Sequence, residues 1–188
     1  MKVTELVARC PEAAERADPM RAVREVIESW KNRIDDVAQA LAYVSGVGGN
    51  ARQVFYRAPD VTMLKVCFPA GRRTPPHHHG AWSMILLLSG CEKNTLYRRE
   101  PGGLRRAGEV TLEPGSILPM CADTVHVAES IGDEPAIGLH VYGGDILELP
   151  RRMWHPQTLE EHPLGWTLYE TFARIASSAA GAPAAASA

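Results

Sequence analysis

Residues 71–90, GRRTPPHHHGAWSMILLLSG, decide the fold of this chain. Three consecutive histidines, His77 to His79, follow two prolines and precede the most apolar stretch of the sequence, residues 84–88. Side chains alternate between the two faces of an extended backbone, so His77 and His79 point one way and His78 the other. Two imidazoles that share a face beside a buried strand indicate a metal site rather than a surface histidine tract.

Further histidines extend this candidate site. His126 lies in the alternating segment 123–129 and can supply a third imidazole from another strand. Because neutral imidazoles bind iron, zinc, copper and nickel alike, these residues predict a divalent transition metal without identifying it. His140 and Tyr142 share a face of the next segment, where they form either a pair that orients ligands and substrate or a hydrogen-bonded core pair.

Outward from these residues, the sequence from Gly46 onward has the texture of an all-β barrel or sandwich. Short apolar or alternating runs are separated by Pro and Gly at intervals of about ten residues. Eight strands within a stretch of this length predict a small closed or double-sheet barrel. They are expected near residues 52–57, 61–68, 82–88, 93–99, 107–112, 116–120, 124–129 and 136–142.

The two ends of the chain differ from this barrel. Asp18-Pro19 is typical of a helix start, and apolar residues at helical spacing predict a helix over 19–43 that allows a break near Asn32. A shorter helix is expected from Thr4 to Arg16, and another over 165–175. We therefore expect N-terminal helices packing on the barrel (1–45), the barrel with a C-terminal extension (46–175), and a disordered tail of small residues (176–188).

Composition narrows the functional classes. Lys and Arg number 20 against 22 Asp and Glu, so the chain lacks the basic excess of a nucleic-acid or membrane-surface binder. The four cysteines contain no C-x-x-C pair, which disfavours a thiolate zinc site or a disulfide framework. With no apolar segment long enough for a membrane span, we expect a soluble, cytoplasmic protein whose partner is a small molecule.

At these residues the chain resembles the cupin superfamily, whose members carry a metal inside a double-stranded β-helix, or jelly-roll, barrel. Gly71, His77, His79 and Gly90 match the first cupin motif, G-x5-HxH-x3,4-E-x6-G, but its glutamate falls on Ser83 or Met84. The second motif is matched loosely by Gly108, Pro114 and His126. A three-histidine site without a carboxylate is similar to that of the thiol dioxygenase branch, which includes the cysteine and 3-mercaptopropionate dioxygenases.

The resemblance, over about residues 50 to 155, implies an iron(II) enzyme that adds both atoms of O2 to the sulfur of a small thiol. By that resemblance His77, His79 and His126 are metal ligands, and His140 and Tyr142 are catalytic residues outside the metal's ligand set. Arg57 matches the arginine that binds the substrate carboxylate, although Arg52, Arg151 and Arg152 are alternatives, as is a solvated surface role for Arg57. Cupins often form homodimers, which the sequence leaves open.

Two departures bear on the substrate. The serine of the family's Ser-His-Tyr triad is replaced by Gly138, and the cysteine that is cross-linked to the tyrosine in mammalian-type enzymes corresponds to Met84. These departures favour a bacterial-type thiol dioxygenase acting on a thiol carboxylate such as 3-mercaptopropionate. A metal-dependent cupin enzyme of another class, or a non-catalytic metal- or ligand-binding cupin, stays open as the alternative.

Overall fold

The computed structural model describes residues 2–42, 44 and 52–181. The N-terminal part contains helices α1 (Val3–Ala14), α2 (Pro19–Glu28) and α3 (Ile34–Ala42), with a short 3₁₀ turn over Lys31–Arg33 between the last two. The Asp18 side chain accepts a hydrogen bond from the backbone N–H of Arg21 and caps α2, with Pro19 in its first turn. The break predicted near Asn32 is confirmed, whereas Tyr43, at the predicted helix end, lies outside the described residues.

Eight strands follow, at the predicted places. They are β1 (Arg52–Arg57), β2 (Thr62–Phe68), β3 (Ser83–Ser89), β4 (Glu92–Glu100), β5 (Gly103–Leu112), β6 (Ile117–Met120), β7 (Val125–Ser130) and β8 (Ala136–Tyr142). The largest boundary difference is in β5, which begins four residues before the predicted 107, because it pairs with β4 along the whole hairpin from Glu100 and Gly103 to Glu92 and Leu112.

These strands form two antiparallel sheets, with strand orders β1-β2-β8-β3-β6 and β5-β4-β7. The all-β jelly-roll barrel with a helical N-terminal segment is thereby confirmed as the fold class. Apolar side chains of β3, β5, β6 and β8 fill part of the space between the sheets. The outer face of the five-stranded sheet packs on α1, α2 and α3 in one continuous cluster.

The chain continues past the barrel through β9 (Arg152–Trp154) and β10 (Glu161–Pro163), a hairpin that the sequence analysis missed, into helix α4 (Trp166–Gly181). The prediction of a disordered tail from residue 176 is wrong for residues 176–181. Ala176 is buried, and the Ser177 hydroxyl donates to the carbonyl of Ala173 while it accepts from the backbone N–H of Arg73. These contacts hold the last turns of α4 against the barrel; residues 182–188 lie outside the described residues.

No helix in the described part of the chain has both the length and the apolar character needed to cross a membrane.

Candidate metal centre and cavity

His77 and His126 are brought together by backbone pairing. The N–H of His77 donates to the carbonyl of His126 at 3.0 Å, and the N–H of His126 donates back to the carbonyl of His77 at 2.9 Å. Residues directly opposite each other in an antiparallel pair project to the same side, and His79 follows His77 by one strand repeat. The three imidazoles therefore face one point, with ring centroids 4.6 to 5.3 Å apart and one nitrogen of each within 4.8 Å of the others.

The Nδ1 atom of each of the three imidazoles, which faces away from the point where the rings converge, lies within hydrogen-bond distance of another protein atom. Nδ1 of His77 lies 2.9 Å from the carbonyl oxygen of Pro75, Nδ1 of His79 lies 2.9 Å from the Ser83 hydroxyl, and Nδ1 of His126 lies 2.8 Å from Oδ1 of Asn94. A carbonyl or amide oxygen only accepts, so His77 and His126 carry their protons on Nδ1. Their unprotonated Nε2 atoms are therefore directed inward, as metal ligation requires.

The residues fit a divalent transition metal. Burial lowers the pKa of all three histidines, to about 4 for His126, and neighbouring imidazoles lower the pKa values of His77 and His79 further. Neutral rings leave nitrogen lone pairs facing each other, with Nε2 of His79 and Nε2 of His126 only 3.3 Å apart. Converging lone pairs in a buried site are compensated by a cation, and three nitrogen ligands leave further coordination positions open.

A buried carboxyl group stands behind this site. The Asn94 side chain donates to Oε1 of Glu92 at 2.8 Å while its carbonyl oxygen accepts from His126, so the amide links Glu92 to the imidazole and fixes its own orientation. Glu92 is 1% exposed, and burial raises its pKa to about 7. This link was not predicted from the sequence, although the alternation that places residues 92 and 94 on one face of β4 is a signal for it.

Three other histidines, His78, His155 and His162, do not face the metal centre. The imidazole of His78 points away from the other two, as predicted, and its Nε2 accepts from the backbone N–H of Arg152 at 3.2 Å. His155 and His162 pack their rings against Phe172, at 4.8 and 5.4 Å, outside the cavity described below. They are partly buried rather than fully solvated.

His140 and Tyr142 lie side by side beneath the metal centre. Nδ1 of His140 is 3.1 Å from the Tyr142 hydroxyl, and the Tyr142 ring packs edge-on against His79 at 4.9 Å. Burial lowers the pKa of His140 to about 3 and raises that of the Tyr142 hydroxyl, so both side chains are neutral. Nε2 of His140 is buried without a hydrogen-bond partner among the described residues, and a Cβ atom on Gly138 would lie 3.1 Å from it.

The structure also distinguishes Ser83 from Met84, the two residues that the sequence left open as the position of the missing glutamate. Ser83 points to the interior, opposite Tyr142 in the pairing of β3 and β8, whereas Met84 belongs to the helix-covered outer face. The correspondence of Met84 with the cross-linking cysteine is therefore corrected, because alternation along β3 places Ser83 beside Tyr142. Since serine has no thiol, the expectation that no cross-link forms is unchanged.

A cavity of about 410 Å³ opens onto the metal centre, and His77, His79 and Tyr142 form part of its wall. Arg52 and Arg151 line it, but Arg57 does not. The guanidinium of Arg57 is exposed and hydrogen-bonds Asp145 at 2.9 Å and Glu148 at 2.9 Å. The structure thus places Arg57, the residue expected to bind the substrate carboxylate, outside this cavity with its charge already paired.

The two arginines in the cavity differ in their pairing. Arg52 donates to the Tyr169 hydroxyl at 2.7 Å and lies 3.7 Å from a carboxylate oxygen of Glu170. Arg151 is partly buried, with its guanidinium 5.2 Å from the Trp166 ring centroid, and it has no ion pair or side-chain hydrogen bond with any described residue. Burial lowers the pKa of Arg151, so an anion in the cavity would be favourable for it.

Helix α4 completes the cavity with residues that the sequence analysis did not name. Tyr169 is 1% exposed and packs edge-on against His77, with ring centroids 5.5 Å apart. Trp166 and Glu170 line the same cavity. The spacing of these residues gives no hint of their position, because the contact with the metal centre is made across about ninety residues of chain and depends on how α4 docks.

No protein-family model matches the chain. Among solved structures it is similar to the DMSP lyase DddQ from Ruegeria pomeroyi, with 23% identity over 53% of this chain and 46% of the lyase and a TM-score of 0.43. An uncharacterized protein with a double-stranded β-helix domain from Klebsiella pneumoniae matches at 20% identity over 64% of this chain and 87% of that one, with a TM-score of 0.45.

Oxalate decarboxylase from Bacillus subtilis, which contains Mn(II) centres, matches at 20% identity over 54% of this chain and 28% of that chain, with a TM-score of 0.42. All three scores lie below 0.5 and all identities below 25%, so the substrates and metals of these proteins do not transfer to this chain. The structural neighbours of the chain include proteins described as cupins with a double-stranded β-helix.

Proposed function

We propose that this chain is a non-haem iron(II) dioxygenase that oxidises a small thiol carboxylate to a sulfinate. The sulfur loses its proton and forms two bonds to oxygen, so that R–SH and O2 give R–SO2H. Sulfur is oxidised by four electrons and both oxygen atoms are reduced and retained in the product. No other reductant or oxidant is required.

The observation that carries this proposal is a donor set of three neutral imidazoles without a carboxylate, beside a guanidinium that has no anionic partner among the described residues. Iron(II) held by His77, His79 and His126 supplies an undiminished positive charge, open coordination positions and the redox chemistry that oxidation by O2 requires. A carboxylate ligand would cancel part of that charge and weaken the capture of a thiolate.

Arg151 is the residue that we assign to the substrate carboxylate. Its planar guanidinium can form a bidentate pair with a carboxylate, and partial burial strengthens such a pair relative to one in water. Arg52 lies near it but already donates to Tyr169. Arg151 therefore positions the substrate so that its sulfur reaches the three-histidine site.

Tyr142 and His140 act on the reacting group. In the tautomer of neutral His140 that carries its proton on Nδ1, this nitrogen donates to the Tyr142 oxygen and leaves the phenol proton free to form a hydrogen bond in the cavity. Burial keeps the phenol protonated. Tyr142 therefore donates a hydrogen bond to the oxygen atoms that become bonded to sulfur and carry the negative charge of the product. We expect His140→Ala to retain the metal and slow turnover, because His140 orients Tyr142 and does not itself ligate.

A metal-dependent cupin enzyme of another class is the second candidate. The observation that favours it is Tyr169, a second cavity phenol whose oxygen accepts a hydrogen bond from Arg52. A phenol and a guanidinium held together can bind and polarise an oxygen atom of a substrate in a reaction that has no role for O2. Dependence of the reaction on O2 separates the two candidates.

The test is oxygen consumption by anaerobically purified, iron(II)-loaded protein with 3-mercaptopropionate, cysteine, mercaptosuccinate and cysteamine. We expect thiol-dependent uptake and a product heavier than the thiol by two oxygen atoms, detected by mass spectrometry. Cysteamine, which lacks a carboxylate, is the control and should be the poorest substrate because it leaves Arg151 unpaired.

Stoichiometric iron without thiol-dependent uptake would contradict the thiol dioxygenase and favour the second candidate. Failure of the reconstituted protein to hold any metal would contradict both and favour a non-catalytic binding module.

A further inference from the structure

Exposed apolar side chains gather at the mouth of the cavity. Among the described residues, the large hydrophobic side chains that are well exposed are Val54 (40%), Leu147 (38%), Trp166 (43%) and Leu168 (37%). The first three line the cavity. Single exposed apolar residues need no explanation, but their concentration around one opening marks a surface that a ligand covers.

The cavity is also larger than a small thiol requires. At roughly 30 Å³ for a water-sized group, a thiol such as 3-mercaptopropionate, with about six non-hydrogen atoms, would fill less than half of the 410 Å³. Cavities of roughly 300 to 1,000 Å³ are typical of sites that enclose larger ligands. Space therefore remains after the sulfur and the carboxylate have been placed.

Apolar groups line this remaining space from the mouth inward. Leu64 and Ile146, each 3% exposed, lie deeper in the wall, and Val54 and Leu147 stand at the opening. The Trp166 ring is already in contact with two guanidiniums, at 5.0 Å from Arg52 and 5.2 Å from Arg151. The free apolar surface is therefore provided mainly by the aliphatic side chains, which have no polar group to offer a substrate.

We propose that the natural substrate carries an apolar group of about phenyl or branched-alkyl size, which packs on Val54, Ile146 and Leu147. The substrate class is a 3-mercaptocarboxylate with an apolar substituent rather than an unsubstituted small thiol. This rests on the proposed function for the sulfur and the carboxylate, whereas the apolar subsite itself rests only on the shape and composition of the cavity.

The first experiment measures binding without turnover. The protein, loaded with iron(II) and kept anaerobic, is titrated with propionate and with 3-phenylpropionate in a calorimeter. Burying roughly 60 Å² of the phenyl group predicts about tenfold tighter binding of 3-phenylpropionate. Leu147→Ser should remove most of that preference, whereas Leu168→Ser, a matched control of equal exposure outside the cavity, should keep it.

Equal affinity for the two carboxylates would overturn the subsite, as would an equal loss of preference in the two serine variants. Matching melting temperatures of both variants and the parent protein exclude a general loss of structure, because both leucines are exposed.

The second experiment separates the subsite from the proposed reaction. Oxygen consumption is measured with 3-mercaptopropionate and with 2-benzyl-3-mercaptopropionate, and we expect kcat/KM to be about tenfold higher for the benzyl compound. If neither thiol is oxidised but the preference for 3-phenylpropionate is observed, the thiol dioxygenase is contradicted and the apolar subsite is supported. If both thiols are oxidised equally well and no binding preference exists, the subsite is contradicted and the dioxygenase is supported.

Discussion

Strands β3 and β8 lie side by side in the five-stranded sheet. Their outer face packs against the helices, and their inner face contributes to the candidate site. On the outer face, Met84 is paired with Val141 and Leu86 with Leu139, and all four are fully buried under the N-terminal helices. On the inner face near the metal centre, Ser83 is paired with Tyr142. His140 lies two residues before Tyr142 on β8 and shares this face. A step of one residue along either strand thus separates packing from chemistry.

Because the two faces are separate, stability and the candidate chemistry can be changed separately. The outer side chains are stabilised by removal of apolar surface from water, which depends on volume and tolerates similar shapes. The inner polar side chains are buried at a cost, and each must have a specific hydrogen-bond partner or ligand. Substitutions on the outer face should lower the free energy of unfolding, and those on the inner face should change metal binding or substrate binding.

The largest effect is expected for His79→Ala on the inner side of the histidine cluster. Removing one of three imidazole nitrogens should weaken iron(II) or zinc(II) binding by more than about a hundredfold, measured by competition with a chelator. His78→Ala is the matched control, since the neighbouring imidazole faces away and should leave affinity within about twofold. Equal metal affinity in the two variants would contradict the assignment of His79 as a ligand.

On the outer face, Leu86→Ala should lower the free energy of unfolding by about 2–5 kcal/mol. Leu86 is fully buried beneath the helices, so truncation loses its transfer free energy and leaves a cavity. Urea denaturation checks the stability, and metal analysis of the folded fraction should give the parent stoichiometry. Loss of metal from protein that remains folded would break the separation between the two faces.

Glu92 extends the comparison to the inner side of the other sheet. Its folded-state pKa of about 7 exceeds the ordinary value of 4.5, so the folded protein keeps a proton that the unfolded chain has released. Its contribution to stability is therefore complete below about pH 4.5 and is lost as the pH rises through about 7. At 1.36 kcal/mol per pKa unit, the loss is roughly 3 kcal/mol.

Glu92→Gln removes this titration and keeps the hydrogen-bonding shape. We expect the free energy of unfolding of the parent, minus that of the variant, to fall between pH 4.5 and 7.5 in urea denaturation of metal-free protein. The buried histidines act with the opposite sign, but they are present in both proteins and cancel in the difference. A difference that is constant with pH would show that Glu92 is not held protonated.

The smallest effect in this series concerns the two arginines. Arg151→Ala should weaken binding of 3-mercaptopropionate to the anaerobic iron(II) protein by about tenfold, or about 1.4 kcal/mol, because a partly buried charge-assisted contact is lost. Arg57→Ala should leave binding within about twofold, since Arg57 is paired with Asp145 and Glu148 outside the cavity. Calorimetric titration of both variants measures the difference, and a larger loss in Arg57→Ala would reverse the assignment.

The strands and the three-histidine group could be predicted because their determinants are local. Alternation of side chains, the turn residues between strands and the period of two that joins His77 and His79 all follow from geometry within a few residues. The same geometry predicted that His78 faces away. It could not choose between Ser83 and Met84 for the missing glutamate, because a one-residue shift in register exchanges the two faces.

The cavity wall could not be predicted for a different reason. Arg57 and Arg52 lie on the same strand, opposite Thr62 and Val66 of β2, but Arg57 is paired with carboxylates from the segment after β8. Arg151 and Tyr169 belong to segments whose docking depends on tertiary packing. Sequence patterns do not record which of several charged side chains already has a partner. The choice of Arg151 over Arg57 for the substrate carboxylate depends on that pairing.

The docking of α4 on the cavity has a consequence for the order in which the site can form during synthesis. Arg52 and Tyr169, which hydrogen-bond each other across the cavity wall, are 117 residues apart in the chain, whereas the three histidines span residues 77 to 126. A nascent chain that has emerged only as far as β8 can therefore assemble the imidazole cluster before its cover exists. Metal capture can precede closure of the wall by Tyr169, and the substrate cavity acquires its final shape only after α4 has been synthesised and has docked.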